Sequence, residues 1–224
     1  MWKISTSITF AAILSLLCGS AARAANPIID KVMKEQADRI PHEAMARAFD
    51  YYEKHADQVE NKKYVTIVDF NRPSTDKRMH VINMQTGEVE DLLVAHGKNS
   101  GNLYASDLSN QNGSNKSSAG IYLTGEEYIG KHGLSLRLDG MEPTNNNVRK
   151  RDIVMHGALY VSADTIKKLG RLGKSNGCLA LEQPLIPRMV KKLEGKSVIL
   201  VYRSAGPEAG RDKDDKINSG KSDE

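Results

Sequence analysis

The sequence predicts a mainly β domain, a sandwich or barrel, with a few short helices and a helical segment on its N-terminal side. Between residues 64 and 202, eight short apolar segments are predicted as strands, and the period becomes two from Tyr64 onward. Turn-forming residues separate them, as in Gln85-Thr86-Gly87-Glu88 between the second and the third. Only two short stretches of this region have a helical pattern. Many short strands with few helices are typical of sandwich and barrel folds.

The first 24 residues have the pattern of a secretory signal peptide. Lys3 gives a weakly positive start, residues 8–17 are apolar, and Ala22-Arg23-Ala24 is a cleavage site of the small-x-small type. An uncleaved membrane anchor is the alternative, but about ten apolar residues are too few for a span that needs about 20. We therefore expect export to the periplasm or cell wall, with no membrane span after cleavage.

Cleavage of this segment would change the number of thiols. The chain has two cysteines, and Cys18 would leave with the signal. Cys178 is then the single thiol of an exported protein and has no partner for an internal disulfide. An unpaired thiol in an oxidising compartment is a liability unless it is used, which favours a catalytic role.

The charge balance is mild. The formal net charge over 224 residues is +4, and removing Lys3 and Arg23 with the signal lowers it to +2. The sequence has no basic helix and no interleaving of basic with aromatic residues, so nucleic-acid binding is not indicated.

Residues 25–61 are predicted to form a helical segment. Apolar residues recur there at helical spacing, and Pro41 marks the start of a second helix. The apolar positions are Ile28, Ile29, Val32, Met33, Ala44, Met45, Ala48, Phe49 and Tyr52. We expect them to pack on the domain that follows.

The β domain is predicted to cover residues 62–203. Its strands are expected at 64–70, 78–84, 89–95, 120–124, 134–138, 153–155, 179–181 and 197–202. Short helices are expected at 162–170, where Ser162 is the cap, and at 184–193. A long loop rich in Asn, Ser and Gly covers 99–118, and long ordered loops are often functional. Residues 204–224 are polar, lack aromatic residues and are predicted to be a disordered tail.

An imidazole and a thiol adjoin two of the apolar segments. His156 ends one of them, and Cys178 opens another after a Ser175-Asn176-Gly177 turn. If the two side chains meet in the fold, they can form a thiolate nucleophile with a lowered thiol pKa. The alternative is that Cys178 is a small, inert core residue and that His156 is only a hydrogen-bonded structural residue.

The turn before Cys178 has the composition of an oxyanion hole. Gly177 allows backbone dihedrals that a side chain would resist. A tight turn there can direct the N–H groups of Asn176, Gly177 and Cys178 at one point. Each preorganised donor at the oxygen of a tetrahedral transition state is worth about 2.7–4 kcal/mol.

These residues resemble the signature of the YkuD-type L,D-transpeptidases, cysteine enzymes of bacterial peptidoglycan. The shared pattern is His-Gly, a spacer with a helix, then Ser-x-Gly-Cys. Residues 94–101, 117–120 and 128–142 also resemble, in the same order, the murein L,D-transpeptidase branch of this family, and the resemblance covers residues 64–202. Two positions differ. Asn176 stands where the family usually has His or Trp, and Leu179-Ala180-Leu181 stands where many members have an Arg.

The resemblance implies a YkuD-like β-sandwich or barrel catalytic domain that works without a cofactor. Cys178 would attack the carbonyl between the third stem residue and the fourth-position D-alanine. His156 would be the general base and acid, oriented by the backbone carbonyl oxygen of Gly157. Peptidoglycan stem peptides would be donor and acceptor, and carbapenems would acylate Cys178. Two alternatives stay open: an L,D-carboxypeptidase, in which water takes the acyl group, and a non-catalytic wall-binding protein.

Three further residues are candidates for substrate binding. His96 ends an apolar run inside one of the resembling blocks, with a structural histidine as the alternative. Ser175 begins the catalytic turn. Arg171 could hold a substrate carboxylate in place of the missing downstream Arg, with a solvated helix-end charge as the alternative. Paired ligands at short spacing, such as C-x-x-C or H-E-x-x-H, do not occur, so no metal site is expected.

Overall fold

A computed structural model describes residues 26–204 and confirms the mainly β fold, with eight strands and four α-helices in that range. The strands are β1 (Tyr64–Asp69), β2 (Met79–Asn83), β3 (Val89–Leu92), β4 (Gly120–Gly130), β5 (Gly133–Gly140), β6 (Val154–Ala158), β7 (Leu179–Glu182) and β8 (Val198–Tyr202). The helices are α1 (Pro27–Glu35), α2 (His42–Lys54), α3 (Ala163–Leu169) and α4 (Ile186–Leu193). The predicted signal peptide and, apart from Ser204, the predicted tail lie outside the described residues.

One mixed sheet contains all eight strands, in the order β3-β2-β1-β8-β4-β5-β6-β7. The β1–β8 and β6–β7 pairs are parallel, and the other neighbours are antiparallel. Beyond β3, the N–H of Ala95 donates to the carbonyl oxygen of Ala180 in β7 at 2.9 Å. This bond joins the two ends of the sheet, which is therefore nearly closed into a barrel.

Side-chain alternation along the strands gives the sheet an apolar layer on each face. In β1, Val68 enters the interior core, while Val65 and Ile67 point to the outer face. Met45 and Phe49 of α2 pack on that outer face and are buried by it. The expected packing of the N-terminal helical segment on the β domain is therefore observed.

The β4–β5 hairpin is longer than the predicted segments 120–124 and 134–138. Its outer part is largely exposed, so it lacks the apolar alternation that identifies strands in a sequence. Backbone pairing holds it, with a register shift between Thr124 and Glu127. Its tip is the two-residue turn Lys131-His132, followed by Gly133 at φ +76°.

Both predicted helices of the β domain are present. The Ser162 hydroxyl accepts from the Thr165 N–H at the start of α3, and Gly170 ends this helix at φ +68°. A 3-10 turn, Gln183–Leu185, precedes α4. No helix within residues 26–204 combines the length and apolar character that crossing a bilayer would require.

Candidate active site

A pocket of about 680 Å³ lies beside β6 and the turn before β7. Four parts of the chain line it: the 99–118 loop, the tip of the β4–β5 hairpin, the chain leading into β6, and the turn before β7. The lining residues include Lys131, His132, Arg151, His156, Lys174 and Cys178.

The parallel register of β6 and β7 brings His156 and Cys178 to one face of the sheet. His156 is paired with Ala180, which lies two residues after Cys178. Because successive side chains alternate, Met155 and Leu179 enter the interior core, while His156 and Cys178 point away from it. Both residues line the pocket. The fold therefore places the imidazole and the thiol that the sequence singled out on one face and in one pocket, while the hydrogen bond of the thiol is to the Asp152 carbonyl oxygen.

The His156 imidazole is held in one tautomer. Its Nδ1 lies 2.9 Å from the carbonyl oxygen of Gly157, so Nδ1 carries the hydrogen and Nε2 keeps its lone pair. The ring of His132 stacks on it with an interplanar angle of 16°. His156 is only 2% exposed, and this burial lowers its pKa. The Gly157 bond opposes the lowering, and the charges of His132 and Lys131 add to it. Neutral imidazole is therefore the resting form and can accept a proton.

The Cys178 thiol is also neutral at rest, which differs from the expectation of a lowered pKa. The residue is 8% exposed, and the thiol donates to the carbonyl oxygen of Asp152, with Sγ and O 3.5 Å apart. Asp152 presents this carbonyl from a left-handed backbone conformation, φ +51°. Burial raises the pKa of the thiol, while a backbone hydrogen bond from Val154 and the charge of Lys131 lower it without reversing the direction. A resting thiolate–imidazolium pair is not favoured in this environment.

The Ser175 hydroxyl shapes the turn before Cys178. It donates to the carbonyl oxygen of Cys178 at 2.8 Å and accepts from the N–H of Gly177 at 3.1 Å. The Gly177 N–H is thus already engaged, whereas those of Asn176 and Cys178 have no acceptor among residues 26–204. Asn176 and Cys178 line the pocket, and Gly177 does not. Of the three predicted oxyanion donors, these two N–H groups are the ones available.

Two residues outside this turn, Gly97 and Ser117, support it. The Ser117 hydroxyl accepts from the N–H of Gly97 and donates to the carbonyl oxygen of Gly177, both at 3.0 Å. Gly97 lies so close to the turn that a Cβ there would come within 3.0 Å of the Gly177 Cα and 2.5 Å of the Asn115 carbonyl oxygen. Ser117 was not singled out individually, although it lies in one of the resembling blocks.

The structure places His96 behind the pocket. It is 1% exposed, and its ring bonds Arg78 through Nδ1 at 2.8 Å and the Gly101 carbonyl oxygen through Nε2 at 3.3 Å. Burial lowers its pKa to about 3, so it is neutral. Its backbone carbonyl accepts from the N–H of Ser175 at 2.9 Å. His96 thus supports the Ser175–Cys178 turn and does not line the pocket.

The structure also leaves Arg171 outside the pocket. Its Nη1 donates to the carbonyl oxygen of the neighbouring Leu172 at 2.8 Å. Lys174, three residues later, lines the pocket instead. Arg171 therefore does not supply the pocket with the positive charge that was expected in place of the Arg that many family members have after the cysteine.

Arg151 holds the long loop in place, and no sequence pattern predicted this role. Its guanidinium donates to the backbone carbonyls of Ser109 and Lys116 and to the hydroxyls of Ser118 and Ser114, at 2.5–3.0 Å. These bonds fix residues 109–118 over the pocket. The partners are 33 to 42 residues distant in the chain, so no local pattern links them.

Within residues 26–204, no three His, Cys, Asp or Glu side chains are grouped as metal ligands would be. The groups available for chemistry are thus a buried thiol, a neutral imidazole and two backbone N–H donors. Together they can take a proton from sulfur and stabilise an oxyanion, which is what acyl transfer to a cysteine requires.

Solved structures that match part of this chain include L,D-transpeptidases of mycobacteria. One from Mycobacterium smegmatis is 12% identical, with a TM-score of 0.39, and the match covers 63% of this chain and 59% of that one. One from Mycobacterium tuberculosis is 11% identical, with a TM-score of 0.41 and coverages of 63% and 58%. An L,D-transpeptidase solved in complex with imipenem is 12% identical, with a TM-score of 0.37 and coverages of 62% and 59%. The match thus spans about three-fifths of the length of these structures. No curated protein matches the chain.

A family model described as the L,D-transpeptidase catalytic domain matches residues 36–202. This range begins before α2, runs through all eight strands and includes His156, Gly157 and the Ser175–Cys178 turn. The match covers well over half of the chain and confirms the resemblance seen in the sequence. The chain belongs to the L,D-transpeptidase catalytic domain family.

Proposed function

We propose that the chain is an exported cysteine L,D-transpeptidase that acts on peptidoglycan stem peptides through an acyl-enzyme on Cys178. The observation that carries the proposal is the shared face of β6 and β7. There a thiol and a neutral imidazole line one pocket, and the Gly157 carbonyl leaves Nε2 of His156 free to accept a proton. Family membership supplies the class of reaction.

The resting protonation states favour general-base catalysis over a preformed ion pair. The donor stem enters with the carbonyl of its third residue at Cys178. Nε2 of His156 takes the thiol proton as Sγ attacks, and the N–H groups of Asn176 and Cys178 bind the oxyanion. The tetrahedral adduct collapses to a thioester, and His156 returns its proton to the leaving D-alanine amine.

The second half of the reaction reverses these roles. The amine of an acceptor stem attacks the thioester and gives a proton to Nε2 of His156, which passes it to the departing thiolate of Cys178. Water at about 55 M competes with this amine, so the acceptor must be held in line. Positioning worth about 10⁵ M in effective concentration is enough to exceed water. The 99–118 loop, fixed by Arg151, is the part of the pocket suited to this role.

The chemistry is tested by intact-protein mass. Wild type incubated with a carbapenem should gain the mass of one molecule, and Cys178→Ala should gain none. His156→Ala should be acylated far more slowly. If wild type that is folded by circular dichroism gains no mass from either a carbapenem or a tetrapeptide stem, the acyl-enzyme proposal is wrong.

The fate of the acyl group is tested with tetrapeptide-stem fragments and a labelled D-amino acid. Cross-linked dimers or an exchanged fourth residue, absent with Cys178→Ala, would support transfer. Tripeptide alone at every acceptor concentration would mean an L,D-carboxypeptidase. Export is tested separately, since sequencing of the mature protein from the periplasm should begin at Ala25.

A further inference from the structure

The guanidinium of Arg78, just before β2, is fully buried. Its hydrogen bonds within residues 26–204 all go to neutral acceptors. Burial lowers the pKa of Arg78 to about 9, against the charges of Asp69 and Asp76, so the side chain stays cationic at neutral pH. A buried cation is costly unless its donors are satisfied, so the bonds that satisfy Arg78 hold it firmly to its partners.

These bonds join Arg78 to residues 94–98, which we call the clamped segment. Nε and Nη2 donate to the carbonyl oxygen of Val94 at 3.2 and 3.0 Å, and Nη2 also donates to Nδ1 of His96 at 2.8 Å. Nη1 donates to the carbonyl oxygen of Arg72 at 2.9 Å. The planar guanidinium presents its donors in a rigid fork, so it fixes the direction of the segment as well as its distance.

The bond from Arg78 also sets the tautomer of His96. Because Nδ1 accepts, Nε2 carries the hydrogen and donates to the carbonyl oxygen of Gly101 at 3.3 Å. Gly101 lies near the start of the 99–118 loop, and its carbonyl also accepts from Nζ of Lys174, which lines the pocket. The same pair of buried side chains therefore reaches the beginning of the long loop.

The clamped segment holds the turn before β7 through its backbone. The carbonyl oxygen of His96 accepts from the N–H of Ser175 at 2.9 Å, and the N–H of Lys98 donates to the carbonyl oxygen of Ser175 at 2.7 Å. Both backbone groups of Ser175 are thus fixed by this segment. The Ser175 hydroxyl in turn bonds the carbonyl oxygen of Cys178, and Asn176 lies between them in the chain. A shift of the segment would therefore shift the N–H groups of Asn176 and Cys178.

We propose that Arg78 is a positioning residue for the oxyanion hole, acting through His96 and the clamped segment on the N–H groups of Asn176 and Cys178. The inference rests on the proposed function, which supplies the acyl transfer that needs an oxyanion hole. Arg78 does not line the pocket and would not touch the substrate. Its effect comes from geometry, since a displacement of about 1 Å in a catalytic group costs about 100-fold in rate.

Two reactions of the same thiol test this proposal. A carbapenem acylates Cys178 by addition to a carbonyl, and an oxyanion develops in the transition state. Iodoacetamide alkylates sulfur at a saturated carbon and releases iodide, so no oxyanion develops. At one fixed pH, Arg78→Lys should slow acylation by about tenfold to 100-fold and change alkylation by less than about twofold, because the ammonium group keeps the charge but cannot form the fork.

Substitutions of His96 provide a second comparison if Arg78→Lys does not fold. His96→Gln carries an acceptor for Arg78 and a donor for the Gly101 carbonyl, whereas His96→Leu carries neither. His96→Gln should retain a higher ratio of acylation to alkylation than His96→Leu. Equal ratios in these two variants, or a wild-type ratio in folded Arg78→Lys, would overturn the proposal.

Thr124→Val is the control for loss of stability alone. Thr124 is fully buried and outside the active-site pocket, and its hydroxyl donates to the Leu193 carbonyl oxygen and accepts from the Ser197 N–H at 2.6 and 2.8 Å. The control should lower the temperature of unfolding and leave the ratio of acylation to alkylation unchanged. A fall in this ratio equal to that of Arg78→Lys would show that general destabilisation explains the effect.

Amide NMR separates this inference from the proposed function. The N–H signals of Asn176 and Cys178 should move in Arg78→Lys and stay in place in Thr124→Val. Unmoved signals in Arg78→Lys would refute the role of Arg78 even if wild type is an active transpeptidase. Moved signals in a protein whose wild type is never acylated would refute the catalytic proposal and leave the positioning of the turn standing.

Discussion

The imidazole of His132 stacks on the imidazole of His156, with the ring centroids 4.2 Å apart. His132 lies at the tip of a hairpin whose outer part is held mainly by backbone pairing, while His156 lies in the buried strand β6. The stack couples an exposed, extended element to the proposed catalytic base and limits rotation of that ring about its long axis.

His132→Phe is expected to move the acid limb of the pH–kcat/KM profile to higher pH. Phe keeps a ring for the stack but carries no charge, and the charge of His132 lowers the pKa of His156. Without it the His156 pKa rises, and His156 must be neutral to accept the thiol proton. NMR titration of His156 should move in the same direction. An unchanged titration in both His132→Phe and His132→Ala would contradict the coupling.

Alkylation of Cys178 is expected to be slow at neutral pH. Burial raises the pKa of this thiol, so the thiolate should form only above the ordinary cysteine value of about 8.5. The folded state then holds the proton more tightly than the unfolded state. Stability should therefore fall as pH rises above about 8.5, and less so in Cys178→Ala. A labelling midpoint below that of an unfolded peptide of residues 175–181 would indicate a resting thiolate instead.

Gly177→Ala is expected to abolish acylation and to destabilise the fold by about 1–3 kcal/mol. Gly177 has φ +124°, and a Cβ there would lie 2.8 Å from the Lys116 carbonyl oxygen and 3.3 Å from Ile153. Gly195→Ala is the matched control, since Gly195 has φ +81° but no atom within 4 Å of the added Cβ. The control should lose some stability and keep acylation, as measured by thermal unfolding and carbapenem mass shift. Full acylation of folded Gly177→Ala would refute the importance of the turn.

Asn176→His is expected to keep most of the activity. The Asn176 side chain is exposed and makes no hydrogen bond among residues 26–204, so its proposed contribution is the backbone N–H. The family usually has His or Trp at this position, and neither shares side-chain chemistry with Asn. Transfer rates with tetrapeptide donors provide the measurement. Inactivity equal to that of Cys178→Ala would show that the amide side chain itself is needed.

Arg151→Lys is expected to loosen the loop and lower the free energy of unfolding by about 1.5–3 kcal/mol. A single ammonium group cannot reach the four acceptors that the guanidinium spans. Hydrogen exchange should become faster in residues 109–118, and kcat/KM should fall. Arg188→Lys, in the more exposed Arg188–Glu90 pair, should change stability by only about 0.5 kcal/mol. Equal effects of the two changes would argue against a special role for Arg151.

The sequence by itself determined the fold class and pointed to the central residues of the candidate site. Two-residue periodicity and turn residues are local signals, so the strands appear close to where they were predicted. β4 and β5 are the main exception, since their exposed outer halves are held by pairing alone. His156, Gly157, Ser175 and Cys178 were found because their spacing matches a family pattern. The domain boundaries and the export of the chain stay predictions.

Only the tertiary structure decided what surrounds these residues. The ring of His132 stacks on that of His156, and Lys131 lines the same pocket. His96 and Arg171 do not line the pocket. Arg151 holds the long loop through hydrogen bonds. The structure also reverses the expected direction of the thiol pKa. The burial of Cys178 and His156, and the hydrogen bonds of Arg151, depend on partners tens of residues away along the chain. Local sequence patterns do not specify these long-range contacts. The contacts form only when β6 pairs with β7 and the tip of the β4–β5 hairpin packs against them.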